Sequence, residues 1–193
     1  MANMALADER AGDGTGGWTD EGPFNDLREL KTGLRTFYGV PFRIIDASGN
    51  GGRGIIVLRG TGATPTLPGA VTGIPIPDGR VRNLYFLHAS AWPGQTGDRI
   101  GHYVVHYADG STETIPLETN RTSGNWWQGW TKTEESRPVP VPVKNTPDGQ
   151  PGWRYLRVLE WQNPRPATAV TGLDFVSASG WATPILLAVT GVR

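Results

Sequence analysis

The chain has no cysteine in its 193 residues. A disulfide framework, a zinc–thiolate site and a thiol nucleophile are therefore excluded. Neither charge is in excess, because 18 Lys and Arg balance 18 Asp and Glu. Without a basic surplus there is no electrostatic footprint for general nucleic-acid binding, so no nucleic-acid partner is expected. Long apolar runs are missing too. The longest block, Pro184 to Thr190, is strand-sized, far short of the ~20 residues a membrane helix needs; no membrane partner is expected. Residues Met1 to Asp8 carry neither the basic stretch nor the apolar core of a signal peptide. No Gly-x-Ser-x-Gly elbow, phosphate loop or dinucleotide fingerprint occurs.

What the chain does have is turn formers and tryptophan: 27 Gly, 16 Pro and 8 Trp. The hydrophobic fraction is only 37%, but those residues fall in blocks, which argues against disorder. From Pro41 onward the blocks read as strands. Leu84 to Ala89 reads as a strand buried on both faces. His102 to Tyr107 and Thr112 to Leu117 flank Asp109-Gly110, the strongest short hairpin signal. Val71 to Ile76 contains a proline, and Arg137 to Val143 has one at every second position; both read as edge strands. Arg154 to Trp161, Val170 to Val176 and Ile185 to Val189 complete nine or ten strands. With no long amphipathic helix between them, the pattern predicts an all-β, antiparallel β-sandwich of jelly-roll type. The reading is one domain over residues 1–193, with residues 1–40 as a loop-rich lead-in packed on it.

Several segments occur in a familiar order: Gly12 to Asp20, Gly39 to Asp46, Leu84 to Ala89, Tyr107 to Thr112, Glu160 to Pro164 and Thr183 to Thr190. Together they resemble an accessory β-sandwich module of large bacterial secreted enzymes that act on polysaccharides. Such modules are similar in outline to galactose-binding-like jelly rolls and carbohydrate-binding modules. The resemblance implies a polysaccharide or oligosaccharide partner, a catalytic domain in a longer precursor, and an extracellular or periplasmic location. It brings no ligand-contacting residue with it. The Trp-Trp phrase of such modules stands here as Asn125-Trp126-Trp127, without an acidic residue before the pair.

Read for chemistry, the tryptophans come first. An indole face is flat and electron-rich and stacks on the C–H faces of a sugar ring. Trp126, Trp127 and Trp130 crowd one polar loop, with Asn125 and Gln128 as hydrogen-bonding partners, and Trp92 sits where a strand runs into a loop. These six residues are the expected carbohydrate-binding set, although adjacent Trp126 and Trp127 point opposite ways and one of them is expected to plug the sandwich end. Trp153 and Trp161 read as a packed strand face, Trp18 and Trp181 as structural plugs.

Asp13, Asp20 and Asp26 lie among glycines in the lead-in. Irregular acidic loops supply the oxygen ligands of Ca²⁺, so they are candidates for a structural Ca²⁺; the competing reading is turn chemistry. His102 and His106 share a strand face but stand ~13 Å apart, too far to chelate one metal, and His88 is placed to approach one of them across the sheet. If the chain were instead a small glycoside hydrolase or polysaccharide lyase, Glu160 and His106 would be the catalytic suspects. A third reading is a spacer that packs on a neighbouring domain through exposed tryptophans.

Overall fold

Eleven strands carry the fold in a computed structural model that describes residues 1–193 apart from 15–17, 63–65, 78, 130–134, 145 and 147–151. They are β1 (Gly33–Phe37), β2 (Val40–Ile44), β3 (Ile56–Val57), β4 (Ala70–Ile74), β5 (Asn83–Ala91), β6 (Arg99–Tyr107), β7 (Thr112–Glu118), β8 (Ser136–Val143), β9 (Gly152–Gln162), β10 (Val170–Ser177) and β11 (Thr183–Val192). Among the described residues the only helical element is a 3-10 turn at Ala47–Gly49. No helix there is long and apolar enough to cross a membrane. Every ladder between named strands is antiparallel.

One sheet has the order β4-β10-β6-β7 and the other β3-β11-β5-β9-β8, so the chain passes back and forth between two layers of a β-sandwich. Strand side chains alternate in direction, and β5 uses both directions. Leu84 and Phe86 enter the core between the sheets, with Tyr103, Leu173 and Phe175 from the opposite layer. Leu87, Ala89 and Ala91 enter a second core on the far side. That second core is roofed by the β1-β2 hairpin (Val40, Phe42, Ile44) and by Leu6, Trp18, Leu27 and Leu30 of the lead-in. The middle of the five-stranded sheet is thus covered on both faces, which is why Phe86 to Ala91 is buried at every position instead of alternating. Each such Leu or Phe side chain contributes ~1.5–3 kcal/mol on burial.

Local chemistry sets the turns. Tyr38 (φ 52°) and Gly39 (φ 79°) are both left-handed and join Phe37 to Val40, the type I′ geometry that suits a hairpin's twist. The expected Asp109-Gly110 hairpin joins β6 to β7, with the Asp109 carboxylate accepting the Ser111 N–H at 3.0 Å.

β8 is the sheet edge that its sequence predicts. A residue's N–H and C=O point to the same side of its strand. A proline has no N–H for the ladder with β9, so Pro138, Pro140 and Pro142 turn outward and present carbonyls without donors. The Pro138 carbonyl accepts the Tyr38 hydroxyl. Such an edge gives an incoming strand nothing to accept from. Replacing Pro140 and Pro142 with threonine restores two outward N–H groups. The expected result is concentration-dependent self-association in sedimentation velocity; a double variant that stays monomeric at every concentration contradicts this role for the prolines.

The inter-sheet core also holds a polar group. His88 on β5 is buried, with Nδ1 2.9 Å from the Tyr103 hydroxyl and Nε2 3.0 Å from the Thr122 carbonyl. A carbonyl only accepts, so Nε2 carries the proton and Nδ1 accepts from Tyr103. Arg157, opposite His88 in the β5-β9 register, is buried beside it and donates to the Gln128 carbonyl at 3.2 Å. His88 therefore faces Tyr103 of the opposite sheet. It does not meet His102 or His106, which lie on the other face of β6.

Candidate functional site

Loops from both sheets gather at one end of the sandwich. The turn after β5 is tied to the turn after β7 through Gly97 N–H to Thr119 O and Thr119 N–H to Asp98 O, both 2.9 Å. The loop before β11 is tied to the one after β3 through Thr61 N–H to Gly180 O at 2.8 Å. Where these loops meet lies a groove of about 270 Å³, lined by Trp92, Gly94, Asp98, Arg99, Gly180 and Trp181 among others.

Trp92 follows the last residue of β5 in the left-handed region at φ 48°, a conformation that costs a bulky residue ~1–3 kcal/mol and persists only where its surroundings impose it. Those surroundings are visible. Part of the ring packs on the core beneath the lead-in, and the next carbonyl, of Pro93, accepts the Thr119 hydroxyl. Trp181 is 63% exposed, with its indole resting on Gly62, where a side chain would meet Cε2 at 3.0 Å. Trp181 is therefore not the structural plug that its sequence position suggested. Its signal was present all the same: like Trp92, it stands at a junction of loop and strand, after Ser179-Gly180 and before β11.

The groove's polar rim is fixed as well. Asp98 Oδ2 accepts the Gln95 N–H at 2.8 Å. Gly94 passes so close that a Cβ there would lie 2.6 Å from that oxygen. Arg99 is exposed at the start of β6, opposite Glu118, which is itself paired with Arg121 at 3.1 Å. Two indoles, one carboxylate and one guanidinium thus line a single open groove. It is slightly smaller than the ~300–1,000 Å³ of enclosed small-molecule pockets and suits a single ring presented from solvent.

The other expected residues divide. Trp126 is 1% exposed and meets Trp18 edge to face, centroids 4.5 Å apart. It is core, so its faces are not open to a ligand. Trp127 is 44% exposed, and one face carries the Arg154 guanidinium, 3.7 Å from the ring centroid. Asn125 spends its side-chain carbonyl on the Trp127 N–H at 3.0 Å. The Gln128 backbone bonds Asn125 O at 3.1 Å and receives Arg157. Both therefore shape the loop through these bonds. Trp130 lies outside the described residues. Trp153, read from sequence as part of a packed face, is 46% exposed, whereas Trp161 does pack against the inter-sheet core.

Arg154 is a clamp. It donates to Phe24 O and Asn25 Oδ1 of the lead-in and to Trp153 O on its own strand. Burial lowers its pKa, while Glu21 works the other way. Arg154→Met is expected to cost ~1–3 kcal/mol, because the lead-in acceptors lose a charged donor. Urea unfolding followed by tryptophan emission measures this; an unchanged midpoint contradicts the clamp.

The lead-in carboxylates hold backbone. Asp20 accepts the Asp13 and Gly14 N–H groups at 3.1 Å each. Asp26 accepts the Asp8 N–H at 2.8 Å and pairs with Arg28 at 2.7 Å. The Asp13 side chain is exposed. Among the described residues, no three His, Asp or Glu side chains gather closely enough to hold a metal ion.

The two catalytic suspects are not brought together. His106 Nε2 lies 2.8 Å from Asp174 Oδ2 on the outer face of the four-stranded sheet. At Asp174 partial burial pushes the pKa up, but the Gly73 N–H and His106 outweigh it and the net shift is downward. Glu160 projects from the other sheet, where Oε1 accepts Asn83 Nδ2 at 2.6 Å and the Tyr85 hydroxyl at 2.8 Å. Sandwiched sheets stand ~10 Å apart, and these groups lie on or beyond opposite sheets.

No protein-family model matches the chain, and no curated protein matches it.

Proposed function

We propose that the chain is a noncatalytic carbohydrate-binding module that holds a polysaccharide by tryptophan stacking and hydrogen bonds. The observation that carries this reading is the pairing of Trp92 and Trp181 in one open groove with Asp98 and Arg99 on its rim. Indole faces take the C–H side of a pyranose ring, and the carboxylate and guanidinium take its hydroxyls. Support also comes from the strain at Trp92, which is stored where a side chain must be aimed. The interleaved strand order supports a jelly-roll wiring, whose loops gather at the sandwich ends. In this reading the module works outside the cell or in the periplasm, beside a catalytic domain. A hydrolase or lyase using Glu160 with His106 is disfavoured, since the two cannot reach one bond.

Affinity electrophoresis through gels containing individual soluble polysaccharides tests the proposal. At least one polysaccharide is expected to retard the protein, and free oligosaccharide of the same type to relieve it. Unchanged mobility in every gel, with no response of tryptophan fluorescence, removes the reading and leaves the spacer.

A further inference from the structure

A second groove opens on the flank of the sandwich, between β1 of the roofing hairpin and the β8 edge. It measures about 240 Å³, close to the end groove in size, and shares no lining residue with it. Leu30, Phe37 and Val141 make its floor. Leu30 and Val141 belong to the second core and Phe37 packs against it, so these side chains are held from below. Arg35 lies two positions before Phe37 and therefore on the same face of β1. That face is turned toward the second core. Arg35 stands opposite Phe42 and Phe37 opposite Val40, both core residues, and opposed residues of an antiparallel pair share a face. The guanidinium thus shares its side of the strand with the apolar floor.

The rim carries unbalanced positive charge. Arg35 Nε and Nη1 donate to Lys31 O and Leu34 O at 3.2 and 3.0 Å, which holds the guanidinium at the groove and leaves Nη2 for another acceptor. Lys31 lines the same groove and is exposed. Glu29 lines it too, but its carboxylate is paired with Lys144 at 2.6 Å. Among the described residues, neither Lys31 nor Arg35 has a carboxylate partner. The facing lip is Pro140 and Pro142, whose outward carbonyls accept and never donate.

These surfaces match one ligand with three parts. A carboxylate suits Arg35 and Lys31, hydroxyls suit the proline carbonyls, and a C–H face suits the floor. A peptide strand fits less well, because its alternating groups bring carbonyls that the proline edge cannot answer. A hydroxyl rotates to donate wherever an acceptor stands. We infer that the β1–β8 groove is a second saccharide subsite, for a uronic acid residue whose carboxylate is held by Arg35 and Lys31. The ligand class rests on the carbohydrate reading above, while the residues are independent of it. Two subsites on one body also let a single polysaccharide engage twice, which raises avidity without any new contact.

Nuclear magnetic resonance reads the two grooves separately. After backbone assignment, the amide signals of Leu30, Phe37 and Val141 report on the flank and the Trp181 indole N–H on the end groove. The labelled protein is titrated with methyl glucuronide and methyl galacturonide, with the matching neutral methyl glucoside and methyl galactoside, and with an N-acetylated tripeptide bearing a free terminal carboxylate. At least one uronide is expected to move the flank signals at concentrations where its neutral counterpart and the tripeptide leave them still. Arg35→Gln is expected to weaken that response about tenfold, the effect of losing one charge-assisted hydrogen bond, with the Trp181 response unchanged. Lys31→Gln, at an exposed position, is expected to weaken it in the same direction. Flank signals that ignore both uronides, that answer the neutral sugar or the tripeptide equally, or that keep their full response in both variants overturn the flank subsite whatever Trp181 does. A silent Trp181 beside a responsive flank overturns the end groove and keeps the flank one.

Discussion

Trp181→Ala is expected to weaken polysaccharide binding at least ~30-fold and leave thermal stability nearly unchanged. The size follows from the role of a central tryptophan: truncating such an anchor costs ~2 kcal/mol or more, and 1.4 kcal/mol is tenfold in affinity. The silence in stability follows from exposure. Trp181 is 63% exposed, and surface substitutions away from caps, cores and charged networks stay within about ±0.5 kcal/mol. Trp92→Ala separates the two effects differently, because its ring also packs on the core beneath the lead-in. It is expected to lose both affinity and stability. Calorimetric titration with the polysaccharide that retards the protein, run beside thermal melts, reads both quantities. Equal affinities for wild type and Trp181→Ala would place the ligand elsewhere.

The second large effect is acid lability. Burial pushes the His88 pKa down from 6.5 to about 3; the bond to the Thr122 carbonyl opposes this and Arg157 reinforces it. The unfolded chain therefore binds a proton below about pH 6.5 that the folded chain refuses until about pH 3. The unfolded state binds more protons across that window, so stability rises with pH and is lost as pH falls. The slope is about 1.4 kcal/mol per pH unit, so some 3 kcal/mol disappears between about pH 6.5 and 4.5. That is a large share of the ~5–15 kcal/mol that holds a typical domain. Glu21 works in the other direction, since burial raises its carboxyl pKa. Asp109 and Asp174, both lowered, lose their contribution only as pH falls through the carboxylate range. Urea unfolding from about pH 7 to 4.5 should show the steep loss in wild type. In His88→Gln, less stable at neutral pH but with no imidazole, the curve should be much flatter. Parallel curves for the two proteins would show that His88 is not the acid-sensitive group.

Much of this architecture is written in local chemistry. The Asp109-Gly110 turn, the alternate prolines of β8 and the two-faced run of β5 each have a physical reason that acts within a few residues. The Tyr38-Gly39 hairpin was less legible. Type I′ turns favour Asn or Asp before the glycine, and a tyrosine there gives no such signal. The roof of the second core was hidden for a different reason. Leu6, Trp18, Leu27 and Leu30 follow no period, and only the tertiary fold brings them over β5.

The site was legible in kind and less so in detail. Trp92 stood out because it sits where a strand runs into a loop. Trp181 meets the same condition, but its place beside an apolar strand made it read as a plug. Trp126 and Trp127 show the limit of a composition argument. The first turns in to Trp18 and the second turns out to Arg154, a division decided by partners some thirty to a hundred residues away. Asn125 and Gln128 were expected to reach a ligand, yet their contacts here serve the loop itself.

Simultaneous assay of retention and cleavage on one set of polysaccharides goes furthest toward the central claim. The native chain should be retained by at least one polysaccharide, through the Trp92–Trp181 groove, with no new reducing ends and no unsaturated product after prolonged incubation. Turnover that disappears in Glu160→Gln, or a chain that no polysaccharide retains, would contradict it.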